Sequence, residues 1–424
     1  MKTIDEILDE FPGPVREKLR RIWAALPEDL RQQLADVVEE LSPSLKVLKG
    51  LLPFVLEHYK AALGEKNSIA IVGPANVGKS TLYNQLVAHD QDRAEVSSIP
   101  GTTRQSQEAD TGLFVIVDTP GADAVGAVGE RERLIAFEAA GSADFLVIMF
   151  EATRGIKRSE RGLFDDLLEL DKPFVVVLNK MDLSPKAERE QVLAVAARNL
   201  DLESSEIIGL VATEGDNVGR VVLAIAKSDP ELVQAIAEAL PEYRAKLAWQ
   251  RIGTAAGSAA AVGWIPLPFA DLVPLLFIQS GLVLSIARIY GYKITPSRAK
   301  ELIATFGIGF IARTVYQQLS KLLGVPGWVL SAAIAAATTV AIGYGAMIWF
   351  AYGEKPTRES LQRITMDVTI YLRDQLLGLG EKRPDRGTLR QRVSQALKDL
   401  PDHLRPKRKR TDDGGNTYII ENGV

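Results

Sequence analysis

An ammonium group and a hydroxyl, Lys79 and Ser80, directly follow the second glycine of the stretch GPANVGKST, which runs from Gly73 to Thr81. That grouping suits phosphate chemistry. Gly73 and Gly78 let the backbone wrap closely enough to aim N–H groups at phosphate oxygens, and Ala75, Asn76, Val77 and Thr81 complete the loop. Lys79 can reach β- and γ-phosphates, and the Ser80 hydroxyl can ligate Mg²⁺. Such a loop needs a strand before it and a helix after it. The apolar run Ser68–Val72 and the helix-like run Leu82–Ala88 supply both.

Further groups occur at intervals. Asp118-Thr119-Pro120-Gly121 comes after the apolar run Leu113–Val117. Its carboxylate can hold Mg²⁺ through water, and the Gly121 N–H can bond a γ-phosphate. Asn179-Lys180-Met181-Asp182 comes after Phe174–Leu178. The Asp182 carboxylate can accept two N–H bonds from the N1 and N2 edge of guanine, an edge adenine lacks. Lys180 can lay its stem over the base plane, and Asn179 can tie neighbouring loops together. Val211-Ala212-Thr213 comes after a last apolar run, where the Ala212 N–H could meet guanine O6. Between the first two motifs lies Pro100-Gly101-Thr102-Thr103-Arg104. Thr102 or Thr103 can complete a Mg²⁺ shell in a loop that orders only around a γ-phosphate.

The elements that must position these groups are readable from hydropathy. Apolar runs at Ser68–Val72, Leu113–Val117, Phe145–Phe150, Phe174–Leu178 and Ile207–Val211 are short and nearly continuous. Strands buried on both faces of a parallel sheet have that character. Charged amphipathic stretches such as Arg158–Leu170 and Pro185–Leu200 alternate with them. The expected fold class is α/β, a doubly wound, mostly parallel sheet carrying the phosphate loop. N-terminal helices and a C-terminal α-helical apolar domain should flank it, and the ligand should lie at the carboxyl ends of the strands.

The order GKS, TT, DTPG, NKMD, VAT, with the main motifs each behind a strand, resembles the TrmE–Era–EngA branch of translation-factor-related GTPases over roughly residues 67–228. The resemblance implies GTP and GDP as ligands and GTP hydrolysis with Mg²⁺ held by Ser80, Thr103 and Asp118. It assigns catalytic roles to Asn76, Lys79, Thr103, Asp118 and Gly121. Asn76 matches the asparagine that ligates a monovalent cation in potassium-dependent members, so K⁺ is an expected cofactor with a charge-neutralising role. Three departures stand out. Ala122 follows DTPG where Ras-like enzymes carry a water-orienting glutamine. Gln105 follows Arg104 where many members have Asp. The last motif reads Val-Ala-Thr in place of Ser-Ala-Lys, so only the Ala212 backbone contact carries over.

With 424 residues and a net charge of −4, the chain suits several domains and disfavours a globally basic nucleic-acid binder. No cysteine is present, which excludes disulfides and thiolate chemistry and fits a reducing compartment. The acidic residues in MKTIDEILDEF argue against a signal peptide. Residues 1–66 read as a proline-punctuated helical arm, 67–228 as the GTPase domain and 229–252 as a connecting helix.

Beyond that, Ile252–Ala270, Leu272–Ala287 and Leu322–Gly353 carry no charge. The last exceeds the about 20 residues that span a bilayer. Trp328, Trp349 and Tyr352 near its ends suit an aromatic belt, and basic residues flank the runs. Asp271 and Arg313 would be costly in lipid, and alanine-rich helices also fill soluble bundles. Residues 253–353 resemble the YcjF-type domain through IPLPFADLVPL, YGYKIT and TTVAIGYG, which implies membrane association. Residues 354–424 read as a helix and a basic disordered tail around Leu404–Arg410.

The expectation is thus a nucleotide switch on the cytoplasmic face of a bacterial inner membrane, with a soluble cytoplasmic protein as second choice. Membrane lipid and self-association through the helical regions are the expected partners; nucleic acid is not favoured. Two alternatives stay open, a ribosome- or RNA-assembly GTPase and a dynamin-like membrane-remodelling protein.

Overall fold

The computed structural model describes residues 66, 68–86, 113–119, 137–263, 272–292, 326–379, 384–401, 408–411 and 417–420, with Arg16 and Arg20. The helical arm expected over 1–66, apart from Arg16, Arg20 and Lys66, lies outside these residues. So do the switch stretch 100–105, Gly121 and the proline-rich corner 264–271. The chain divides into two compact units, one within Gly64–Tyr243 and the other holding the helices from Arg244 onward.

The first unit is built on five parallel strands: β1 (Ile69–Pro74), β2 (Phe114–Thr119), β3 (Phe145–Glu151), β4 (Phe174–Asn179) and β5 (Ile207–Gly209), in the order β2-β1-β3-β4-β5. Residues Ile69–Gly73 of β1 and all of β3 are buried, as continuous apolar runs in a sheet covered on both faces require. Between the strands lie α1 (Lys79–Leu86), α2 (Arg158–Leu168) and α3 (Arg189–Leu200), and α4 (Val218–Ser228) comes after β5. Val72, Ile148, Phe150, Phe164, Val176, Leu178 and Leu200 share one core, in which Phe164 meets Phe174 edge-on at 5.8 Å between ring centres. The Lys157 N–H donates to Glu160 Oε2 at 2.9 Å, closing the first turn of α2.

Four strands run past their apolar stretch, β1, β2 and β4 into motif residues and β3 into Glu151. Gly73 pairs with Asp118 and Glu151 with Asn179, so the ladder delivers these residues to one edge of the sheet. β5 does the reverse. Where a strand over 207–211 is expected, it stops at Gly209, and Val211 instead bridges Asp216 across a tight turn. The connecting segment also differs from expectation. Over 229–252 the chain forms a turn at Pro230–Leu232, α5 (Val233–Ala239), a second turn at Pro241–Tyr243, and the start of α6 (Arg244–Gly263). Pro241 has no N–H to continue α5.

The second unit packs α6, α7 (Leu272–Ile289), α8 (Gly327–Tyr352), α9 (Arg358–Leu377) and α10 (Arg386–Lys398). α8 contacts α6, α7 and α9, and α6 also contacts α7 and α10. Three glycines sit at close helix–helix approaches, and a Cβ on Gly257 of α6 would lie 2.5 Å from Ser394 Oγ of α10. A Cβ on Gly263 would lie 2.8 Å from Ala335 Cβ, and one on Gly343 would lie 2.6 Å from Ile252 Cγ1. α8 is long and apolar enough to cross a bilayer, yet 94% of its most apolar 18-residue stretch is buried inside this unit. Trp328, expected in an aromatic belt, is buried too, while Tyr352 is exposed. Thr338 and Thr339 donate back to the carbonyls of Ile334 and Ala335, and Gln279 Nε2 reaches Thr339 Oγ1 at 3.2 Å.

The C-terminal tail is not wholly irregular. β6 (Arg408–Thr411) pairs antiparallel with β7 (Thr417–Ile420). Residues 404–407 of the basic run lie outside the described residues. β7 reads Thr-Tyr-Ile-Ile, a strand-forming composition.

Candidate nucleotide site

β1 ends and the chain turns at Ala75 and Asn76. Asn76 (φ 66°) and Gly78 (φ 102°) both adopt left-handed backbone, which an alternation of short loop and helix start demands. Asn76 is exposed and Val77 is buried beneath the loop. Lys79 opens α1 and is 4% exposed; its Nζ donates to the carbonyls of Gly73 (2.8 Å) and Pro74 (2.7 Å). The ammonium is thereby held over the concave side of the loop, whose carbonyls supply the partners a buried cation requires. Ser80 and Thr81 lie half-buried in the first turn of α1, at the positive end of its dipole.

Glycine is required at both loop ends. A Cβ at Gly73 would sit 2.3 Å from the Met149 carbonyl oxygen of β3. A Cβ at Gly78 would sit 2.2 Å from Asn179 Nδ2. The second contact shows how the loop is joined to the end of β4. Asn179 is 3% exposed, its Nδ2 donates to the Val77 carbonyl at 2.8 Å, and its Oδ1 accepts the Ala212 N–H at 3.0 Å. One amide thus links the loops after β1, β4 and β5.

The Ala212 N–H, expected to meet guanine O6, is engaged by this asparagine. Lys180 comes next in left-handed backbone (φ 62°), and Asp182 lies exposed in the turn Met181–Leu183. That turn is seated by the Met181 N–H on the Leu210 carbonyl at 3.1 Å. Asp118 is brought opposite Gly73 by its register. Thr102, Thr103 and Gly121 lie outside the described residues.

Two contributors escape a motif reading. Glu151, the last residue of β3, is 8% exposed, and its Oε2 accepts from Lys180 Nζ at 2.9 Å. Asn217 Nδ2 donates to the Gly209 carbonyl at 2.9 Å and holds the end of β5. The only sequence signal for Glu151 is a lone carboxylate closing an apolar run; Asn217 has none.

A glycine-bounded loop between a parallel strand and a helix, with its lysine folded over loop carbonyls and an NKMD turn two strands away, defines the nucleotide-binding unit of a P-loop GTPase. Residues 68–180 match the family described as 50S ribosome-binding GTPase, and residues 228–373 match a domain of unknown function, DUF697. The chain therefore carries a GTPase domain where the first match lies, and the second match falls on the YcjF-type region expected from its sequence.

Among curated relatives, it is 37% identical over 166 residues to the tRNA modification GTPase MnmE of Campylobacter jejuni subsp. jejuni (strain 81-176), a match covering 37% of this chain and 35% of that one. It is 33% identical over 169 residues to GTPase Der of Clostridium botulinum (strain Hall), covering 37% and 38%. The chain thus spans only about a third of the length of these relatives. A crystal structure of Aquifex aeolicus Era bound to GDP.AlF4- superposes with a TM-score of 0.33 at 26% identity, over 40% of this chain and 66% of that one.

Proposed function

We propose that the protein binds GTP and hydrolyses it with Mg²⁺, aided by K⁺, and uses the nucleotide state as a switch read out by its helical unit at a membrane surface. The observation that carries the first part is Asn179, whose one side chain joins the phosphate loop to both base-side loops. Ser80 and Asp118, with Thr102 or Thr103, would hold Mg²⁺, which supplies charge neutralisation between β- and γ-phosphates. The half-buried Ser80 hydroxyl at the start of α1 and the register of Asp118 beside Gly73 suit that role. Lys79 holds the phosphate charge. Asp182 selects guanine. Asn76, exposed in its left-handed turn, offers a carbonyl oxygen for a monovalent cation beside the phosphates.

Turnover of GTP by the full chain tests the cation role. At equal ionic strength, hydrolysis in KCl is expected to exceed that in NaCl by at least about tenfold, a modest share of what one transition-state charge contact contributes. Asn76→Ala should erase the difference. Equal rates in both salts would remove potassium from the reading.

The membrane part is supported by the length of α8 and by the uncharged runs around it. The protein is expected to float with liposomes containing anionic lipid and to stay at the bottom of the gradient without them. Failure to float would leave α8 as the core of a soluble bundle. A second reading, a ribosome-associated GTPase, is favoured by the description of the family matched by 68–180. Among the described residues, that domain is succeeded by a helical unit rather than a small α/β RNA-binding module, which favours the first reading.

A further inference from the structure

Glu151 lies outside every nucleotide motif, yet it ends β3 at the same sheet edge as Asn179, with which it pairs in register. It is nearly buried and carries a carboxylate, so its charge needs partners. Two are in place: Thr153 Oγ1 donates to Oε1, and Lys180 Nζ donates to Oε2 at 2.9 Å. The side chain of Lys180 is about a third exposed and that of Glu151 a tenth, so the pair is anchored in the protein and the lysine stem runs out from it. The backbone of Lys180 is fixed as well, in left-handed geometry between Asn179 and the Met181–Leu183 turn. The four-carbon stem of Lys180 is thus held at both ends, by its backbone and by Glu151.

We infer that Glu151 is a positioning residue for guanine binding. It pins the Lys180 ammonium so that the stem forms a preset wall for the face of the base while Asp182 reads its edge. This rests on the guanine-nucleotide reading above. The ammonium then serves chiefly as an anchor, and holding the stem in advance spares the base the cost of ordering it.

The test is a double-mutant cycle on GDP affinity in the full chain, with Glu151→Ala, Lys180→Met and the pair. Methionine keeps an unbranched apolar stem and removes the charge. Glu151→Ala is expected to raise the Kd for GDP roughly tenfold, within the coupling range of residues in contact, and Glu151→Asp should recover part of the loss. In the Lys180→Met background, Glu151→Ala should add less than about twofold, because its route to the base through Lys180 is gone.

Equal losses in both backgrounds would overturn the inference, since Glu151 would then act without Lys180. A Lys180→Met loss far exceeding that of Glu151→Ala, including loss beyond detection, would overturn it too, because the ammonium would have a direct role of its own. If the wild-type chain does not bind GDP, the guanine-nucleotide reading itself fails. If it binds and Glu151→Ala binds equally well, only the positioning role fails.

Discussion

Gly78→Ala is expected to cost the domain roughly 2–4 kcal/mol of stability and to lower GDP affinity by at least about 100-fold, because two penalties combine at one atom. The backbone there has φ 102°, where an L side chain is strained. The new methyl group would also fall 2.2 Å from Asn179 Nδ2. An exposed side chain could swing away. Asn179 cannot do so cheaply, since it is buried and holds Val77 and Ala212 through its two amide atoms. Relief of the clash breaks at least one of those bonds and releases the loop from the end of β4.

Gly155→Ala is the control. Its φ is 64°, but nothing lies within 4 Å of a Cβ there, so it should show the backbone part alone. Thermal melting and titration with a fluorescent GDP analogue measure both effects. If Gly78→Ala melts and binds as Gly155→Ala does, the tie through Asn179 is not what shapes the loop.

Asp182→Asn should leave the fold intact and change the ligand. Asp182 is exposed in its turn and bears none of the packing, which rests on Met181. A carboxylate accepts both N–H groups of the guanine edge. An amide in its place sets a donor against one of them. Sites built around such a pair reject a mismatched partner by about 10⁴–10⁵, and a GTP affinity loss of roughly 10³-fold or more is expected here. Xanthosine triphosphate, which presents a carbonyl at C2, should become the preferred nucleotide. Unchanged preference between the two triphosphates, measured by competition, would remove Asp182 from base selection.

The strands of the first unit are legible because burial on both faces writes continuous apolar runs into the sequence. The carboxyl ends of β1 to β4 extend one or two residues further than those runs. Pro74, Asp118 and Thr119, Glu151 and Asn179 all remain in the ladder after the apolar run has ended. Backbone pairing there continues into residues chosen for chemistry, and hydropathy cannot register it. Glu151 stays hidden for that reason.

The phosphate-loop residues are legible because each residue type has one job at a fixed spacing. The linkage through Asn179 is only half legible. That it ties loops together accords with its place in NKMD, but that it takes the Ala212 N–H depends on a turn closed by a bridge between Val211 and Asp216. In the second unit, composition announces apolar helices without saying what covers them. Hydropathy cannot separate a helix sheathed by protein from one sheathed by lipid.

That ambiguity has a physical counterpart in the way α8 is held. The drive to hide apolar side chains operates against water and lapses in hydrocarbon, where lipid tails are as good a neighbour as leucine. Close backbone contact and hydrogen bonds between side chains do not lapse. The approaches at Gly263 and Gly343 and the bond from Gln279 to Thr339 are of this second kind. The bundle around α8 is thus fastened, at those points, by interactions indifferent to the solvent outside it, and the same helix packing can persist on either side of a water–lipid boundary.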